Sequence, residues 1–166
     1  MGKKSDILEG LGGAAPALRR YARALCAGGG ALVADELVQS ALQAVGAQVR
    51  AKTLRPADHA EARIETYAAL TTLAARRLDG VARPAPRHPP IIHGLADLAF
   101  KDRAALLLVS LEGFGYDAAA RIVGATRETL LVRLARARAE LGFEPPRVAA
   151  SSESVLRRAT HLRVVK

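Results

Sequence analysis

The sequence predicts an all-α protein built as two small helical units joined by a proline-rich linker. Half of its 166 residues are apolar, enough for a packed core. Those apolar residues are mostly Ala, Leu and Val, with three Tyr, three Phe and no Trp, a composition that favours helix over strand. Four of the eight prolines fall in RPAPRHPP, residues 83–90, where the loss of backbone donors stops a helix from continuing. The predicted organisation is a helical unit over 1–80, a linker over 81–94, a second unit over 95–142 and a basic tail over 143–166.

The elements follow in order. Pro16 suits a first helical turn, and the residues from Ala17 to Ala27 continue that helix until Gly28, Gly29 and Gly30 end it. A second helix is predicted over about 33–49, with Val33, Leu37, Val38, Ala41, Leu42 and Val45 on one stripe. Asp58 followed by Glu61 forms a capping box after Pro56. The stripe Ile64, Tyr67, Thr71, Ala74 and Leu78 then runs to Asp79 and Gly80. Past the linker, helices are predicted over about 100–111, 116–123 and 126–141, divided by Gly113, Gly115 and Gly124. The pair Pro145 and Pro146 opens the tail, in which Val155–His161 has the pattern of a short helix.

In the second unit, a short helix ending at Gly124 and a longer one beginning at Thr126 give helix-turn-helix punctuation. Leu130, Leu134, Ala137 and Leu141 recur at intervals of four, three and four and are predicted to face the core. Ala119, Ala120, Val123, Leu107, Leu108 and Leu111 are predicted to lie behind them. Arg133, Arg136 and Arg138 then stay outside, either laid along phosphates or as the solvated flank of an amphipathic helix.

Net charge is +9. Residues 81–94 carry two basic and no acidic groups and residues 143–166 carry five and two, so more than half the surplus lies in linker and tail. The excess fits a polyanionic partner such as nucleic acid, or a solvated basic surface. The single Cys26 excludes an intramolecular disulfide and reads as a small core residue, and His59, His88, His93 and His161 show no metal-ligand spacing. No P-loop and no G-x-S-x-G motif occurs, so the expected protein is not an enzyme and uses no metal or cofactor. MGKKSD leads into no apolar signal segment, and no run approaches the roughly 18 apolar residues of a membrane span, so a cytoplasmic protein without a membrane partner is expected.

LRRYARAL followed by ADELVQSALQAV resembles region two of the extracytoplasmic-function sigma factors, and LLLVSLEGFGYDAAARIVGATRETLLVRLARARAEL resembles their region four. The likeness covers about residues 17–142. It implies a transcription initiation factor that binds core RNA polymerase and promoter DNA, under the control of an anti-sigma factor. Asp35, Glu36 and Gln39 match the residues that grip polymerase, or otherwise form an exposed helix face. Arg76 and Arg77 match the end of the helix that approaches the upstream promoter element, and Thr126, Arg127, Arg133, Arg136 and Arg138 fall in the region-four reader.

The departures are equally specific. The helix ARIETYAALTTLAARRLD keeps Tyr67 but lacks the Phe and Trp common in the family, and Ala75 stands where an Asn is common. Leu131, Val132 and Ala135 occupy groove-facing positions that generally carry Lys or Arg, Ser and His. An aliphatic side chain makes no hydrogen bond to a base edge, so Leu131 and Val132 are also candidates for a protein interface. LRRYARAL and the EGF phrase at 112–114 are similar to the sigma-like domain of PhyR-type general stress response regulators as well. That likeness implies a sigma mimic that binds an anti-sigma factor without binding DNA, here without a receiver domain.

Overall fold

The computed structural model describes residues 3–27, 30–78 and 90–142. The expectations for Gly28, Gly29, Asp79, Gly80, the prolines at 84–89 and the tail helix at 155–161 lie outside them. Eight helices and no strand occur among the described residues: α1 (Lys3–Gly13), α2 (Ala15–Cys26), α3 (Ala31–Arg50), α4 (His59–Arg77), α5 (Pro90–Asp97), α6 (Phe100–Ser110), α7 (Tyr116–Val123) and α8 (Arg127–Glu140). The all-α class read from composition and periodicity is the observed one.

Local chemistry sets most boundaries. Pro16 sits in the first turn of α2, and the helix closes through Ala27 in the left-handed region at φ 42°, whose N–H donates to the Ala24 carbonyl. Asp58 caps α4 by accepting from the Glu61 N–H at 2.8 Å, while the Glu61 carboxylate accepts from the Ala57 N–H at 2.6 Å. Thr126 caps α8 by accepting from the Thr129 N–H at 3.2 Å. Between α7 and α8 the chain reverses at Gly124, φ 61°, a conformation that costs glycine little.

Two helices were not expected from the sequence. α1 carries Gly10, Gly12 and Gly13 and has little intrinsic drive to form; Ile7 and Leu11 hold it by burying against Val45, Val49 and Ala62 of α3 and α4. α5 begins at Pro90, inside the stretch read as linker, because proline is tolerated in a first turn and Leu95 reaches the main core. A Cβ at Gly94 would stand 2.8 Å from Leu141 Cδ2, so the bare glycine allows α5 to approach the end of α8.

Packing follows the predicted stripes with local shifts. Leu130, Leu134 and Ala137 are buried as expected and Leu141 is half-buried. In α7 Ile122 takes the buried place expected for Val123, and Leu111 is 38% exposed rather than core. The halves, read from the sequence as two units joined by a linker, also meet. A single apolar cluster runs through both, from Leu18, Leu25 and Leu70 to Leu108, Leu130 and Leu134, with α2 packed on α6 and α4 on α7.

Candidate functional site

α3 presents Asp35, Glu36 and Gln39, whose i, i+1, i+4 spacing puts them on one flank. Asp35 is half-buried and pairs with Arg19 at 3.4 Å and Arg23 at 3.8 Å of α2, which orients its carboxylate. Glu36 pairs with Arg77 at the end of α4, and Gln39 stands exposed. A residue expected to meet polymerase is thus joined to one expected to meet DNA. Arg76 is exposed beside them. Ion pairs this exposed contribute about 0–1 kcal/mol each and yield readily to a partner.

α8 offers a different surface. Thr126 is committed to the helix cap, and Arg127 lies on Asp117, 3.2 Å from both carboxylate oxygens, and over the Tyr116 ring at 5.8 Å. Arg136 pairs at 3.4 Å with the buried Asp102, and Arg138 is exposed. Arg133 departs from the expected outward set: it is half-buried, and its Nη1 is covered without a hydrogen-bond partner. The outward face carries Leu131 at 41% exposure, Val132 at 59% and the exposed Ala135. A cleft of about 310 Å³ lies between α4, α6 and α7, walled by Ala68, Thr72, Ala75, Phe100, Ala104 and Ile122.

The most organised polar cluster joins the halves, and its roles were not read from the sequence. The Glu112 side chain, between α6 and α7, is fully buried. Arg20 of α2 donates to it through Nε and Nη2, both at 3.0 Å, and the Tyr67 hydroxyl donates at 2.6 Å. Arg63 donates to the Glu112 carbonyl at 2.9 Å and stacks over Phe114, 4.1 Å from the ring centroid. Phe114 in turn meets Tyr67 edge-on at 4.9 Å, and Tyr67 meets Tyr21 at 5.3 Å. Tyr21 and Thr71 share a hydrogen bond of 2.9 Å.

Burial pushes the Tyr21 and Tyr67 hydroxyls well above the ordinary tyrosine range, and for Tyr67 the bond to Glu112 acts in the same direction. Burial likewise pushes the Cys26 thiol up and the Arg103 guanidinium down. Arg103 still donates at 3.0 Å to the Leu25 carbonyl, across the same seam. Tyr67, the aromatic that this helix keeps, is therefore wholly enclosed and its hydroxyl engaged.

Among the described residues no group of three His, Cys, Asp or Glu side chains is placed to hold a metal, and no helix is long and apolar enough to cross a membrane.

No protein-family model matches the chain, and neither does any curated protein. Among solved structures it is similar to the anti-anti-sigma factor PhyR of Bartonella quintana, solved in complex with the anti-sigma factor NepR. The TM-score is 0.61 at 21% identity, over 92% of this chain and 60% of the PhyR chain. It is also similar to the sigma factor RpoE of Bartonella quintana in complex with NepR, with a TM-score of 0.58 at 26% identity over 83% of this chain and 92% of that one. The chain has the sigma-like all-α fold and spans 60% of the length of PhyR.

Proposed function

We propose that the chain is a sigma-like regulator of transcription initiation that acts by capturing an anti-sigma factor. The outward face of α8 carries this reading: Leu131, Val132 and Ala135 stand exposed where base readout needs hydrogen-bonding side chains. Exposed aliphatic residues on a helix face suit an amphipathic partner helix. The small residues Ala68, Thr72 and Ala75 would let such a helix lie close to α4. Both similar structures hold an anti-sigma factor, which supports the same class of partner here.

Titration with a NepR-type anti-sigma factor tests the proposal. Leu131→Asp is expected to weaken capture about 30-fold or more, the equivalent of about 2 kcal/mol at an interface anchor, with little change in helix content. Unchanged affinity in that variant, or no complex with the parent chain, would refute it.

A second reading, a polymerase subunit that binds a promoter, is favoured by the acidic and amide flank Asp35, Glu36 and Gln39 on α3 and by the net charge of +9. Promoter retention with core polymerase that falls steeply with salt would support it, because neutralised phosphates release counterions. Capture of an anti-sigma helix through apolar contacts is expected to change little over the same salt series.

A further inference from the structure

We propose that Glu112 is a latch that engages Arg20 and Arg63, holds the two halves in a closed form and withholds Tyr67 from partners. The carboxylate comes from the α6–α7 connection, while its side-chain donors come from α2 and α4. Those donors lie 92 and 45 residues away in sequence, so the cluster exists only when the halves meet. Arg63 adds a bond to the Glu112 carbonyl, and its guanidinium lies on Phe114, two residues beyond.

Two physical features make this junction a switch. A buried carboxylate is tolerated while its donors are in place, and removing one partner leaves an uncompensated charge. A half-open seam, dry but with donors missing, is therefore the least favourable arrangement, and the equilibrium lies between fully latched and fully parted. Within an otherwise apolar seam, the latch itself is polar: a carboxylate, guanidinium groups and a phenol can all be solvated when the halves separate. Parting would uncover a tyrosine ring flanked by two arginines, chemistry suited to a phosphate and an unstacked base. The cleft between α4, α6 and α7 takes walls from both halves, so a partner seated there binds the latched form. That consequence rests on the capture reading above; the latch itself does not.

The three tyrosines report on the latch in the isolated full-length chain. Tyr116 is 38% exposed, whereas Tyr21 and Tyr67 have no exposure. Nitration by tetranitromethane, read residue by residue by mass spectrometry, is expected to mark Tyr116 and spare the other two. In Glu112→Gln, Tyr67 is expected to react at least about tenfold faster while Tyr21, bonded to Thr71 within the amino-terminal half, stays protected. Arg20→Met, a change at a side chain already half exposed, should give the same pattern. Arg136→Met breaks the pair with buried Asp102 inside the other half and should leave Tyr67 as slow as in the parent.

Protection of Tyr67 in both seam variants would overturn the latch. So would a joint rise of Tyr21 and Tyr67 in both, which would mean general loosening, or an equal rise of Tyr67 in Arg136→Met. Because no partner is present, failure here is distinct from failure to capture an anti-sigma factor.

Discussion

Glu112 and Tyr67 depend on each other in a way that a single substitution can weigh. Tyr67→Phe keeps the ring against Phe114 and Tyr21 but removes the hydroxyl that donates to a fully buried carboxylate. The expected loss is about 1–3 kcal/mol, seen as a lower urea midpoint at unchanged slope. A second expectation concerns alkali. Cys26, Tyr21 and Tyr67 all hold their protons to higher pH in the folded chain than in the unfolded one. Above about pH 8.5 for the thiol and about pH 10 for the phenols, the unfolded chain deprotonates first, so stability falls as pH rises. Their contribution is complete below that range and is lost through it; a urea midpoint flat from about pH 8 to about pH 11 would contradict this. Asp35, Glu36 and Gln39 were picked out by the resemblance that ADELVQSALQAV carries, and their shared flank follows from one helix holding all three. Glu112 was not, since a lone acid after an apolar run reads as an exposed helix end and its donors are far along the chain.

At the scale of elements, stripes at helical spacing located α3, α4 and α8, while Pro and Gly punctuation bounded α2, α6 and α7. α1 and α5 escaped both because each is short and is held by contacts from elsewhere. Ile7→Ala should therefore act locally. The loss of buried volume against Val45 and Val49 is expected to free the amides of α1 to exchange with solvent faster, with those of α6 to α8 unaffected. Thr126 makes the opposite case, a boundary visible in sequence as a cap before a helical run. Thr126→Ala is expected to cost about 0.5–2 kcal/mol, read as a lower thermal midpoint, because the Thr129 N–H loses its acceptor. Leu131 and Val132 were legible as departures from a DNA reader, whereas the half-burial of Arg133 required the neighbouring helices.

For the whole molecule, local sequence pointed to two units joined by a linker, because proline density at 83–90 marks a break in helix and says nothing about what the flanking helices do afterwards. The shared core, the Glu112 cluster and the bond from Arg103 to the Leu25 carbonyl arise only in three dimensions. They couple the stabilities of the halves. If each half folded independently, the slowest-exchanging amides of α4 and α8 would report two different opening free energies. With the seam formed, losing either half exposes apolar surface on the other and strands the buried carboxylate or its donors, so both sets of amides are expected to exchange through one global opening. Denaturant should lower the two free energies with a common slope, and Glu112→Gln should separate them, with α8 opening at lower denaturant than α4. Two unequal slopes in the parent chain would show that the seam is too weak to make the halves unfold as one.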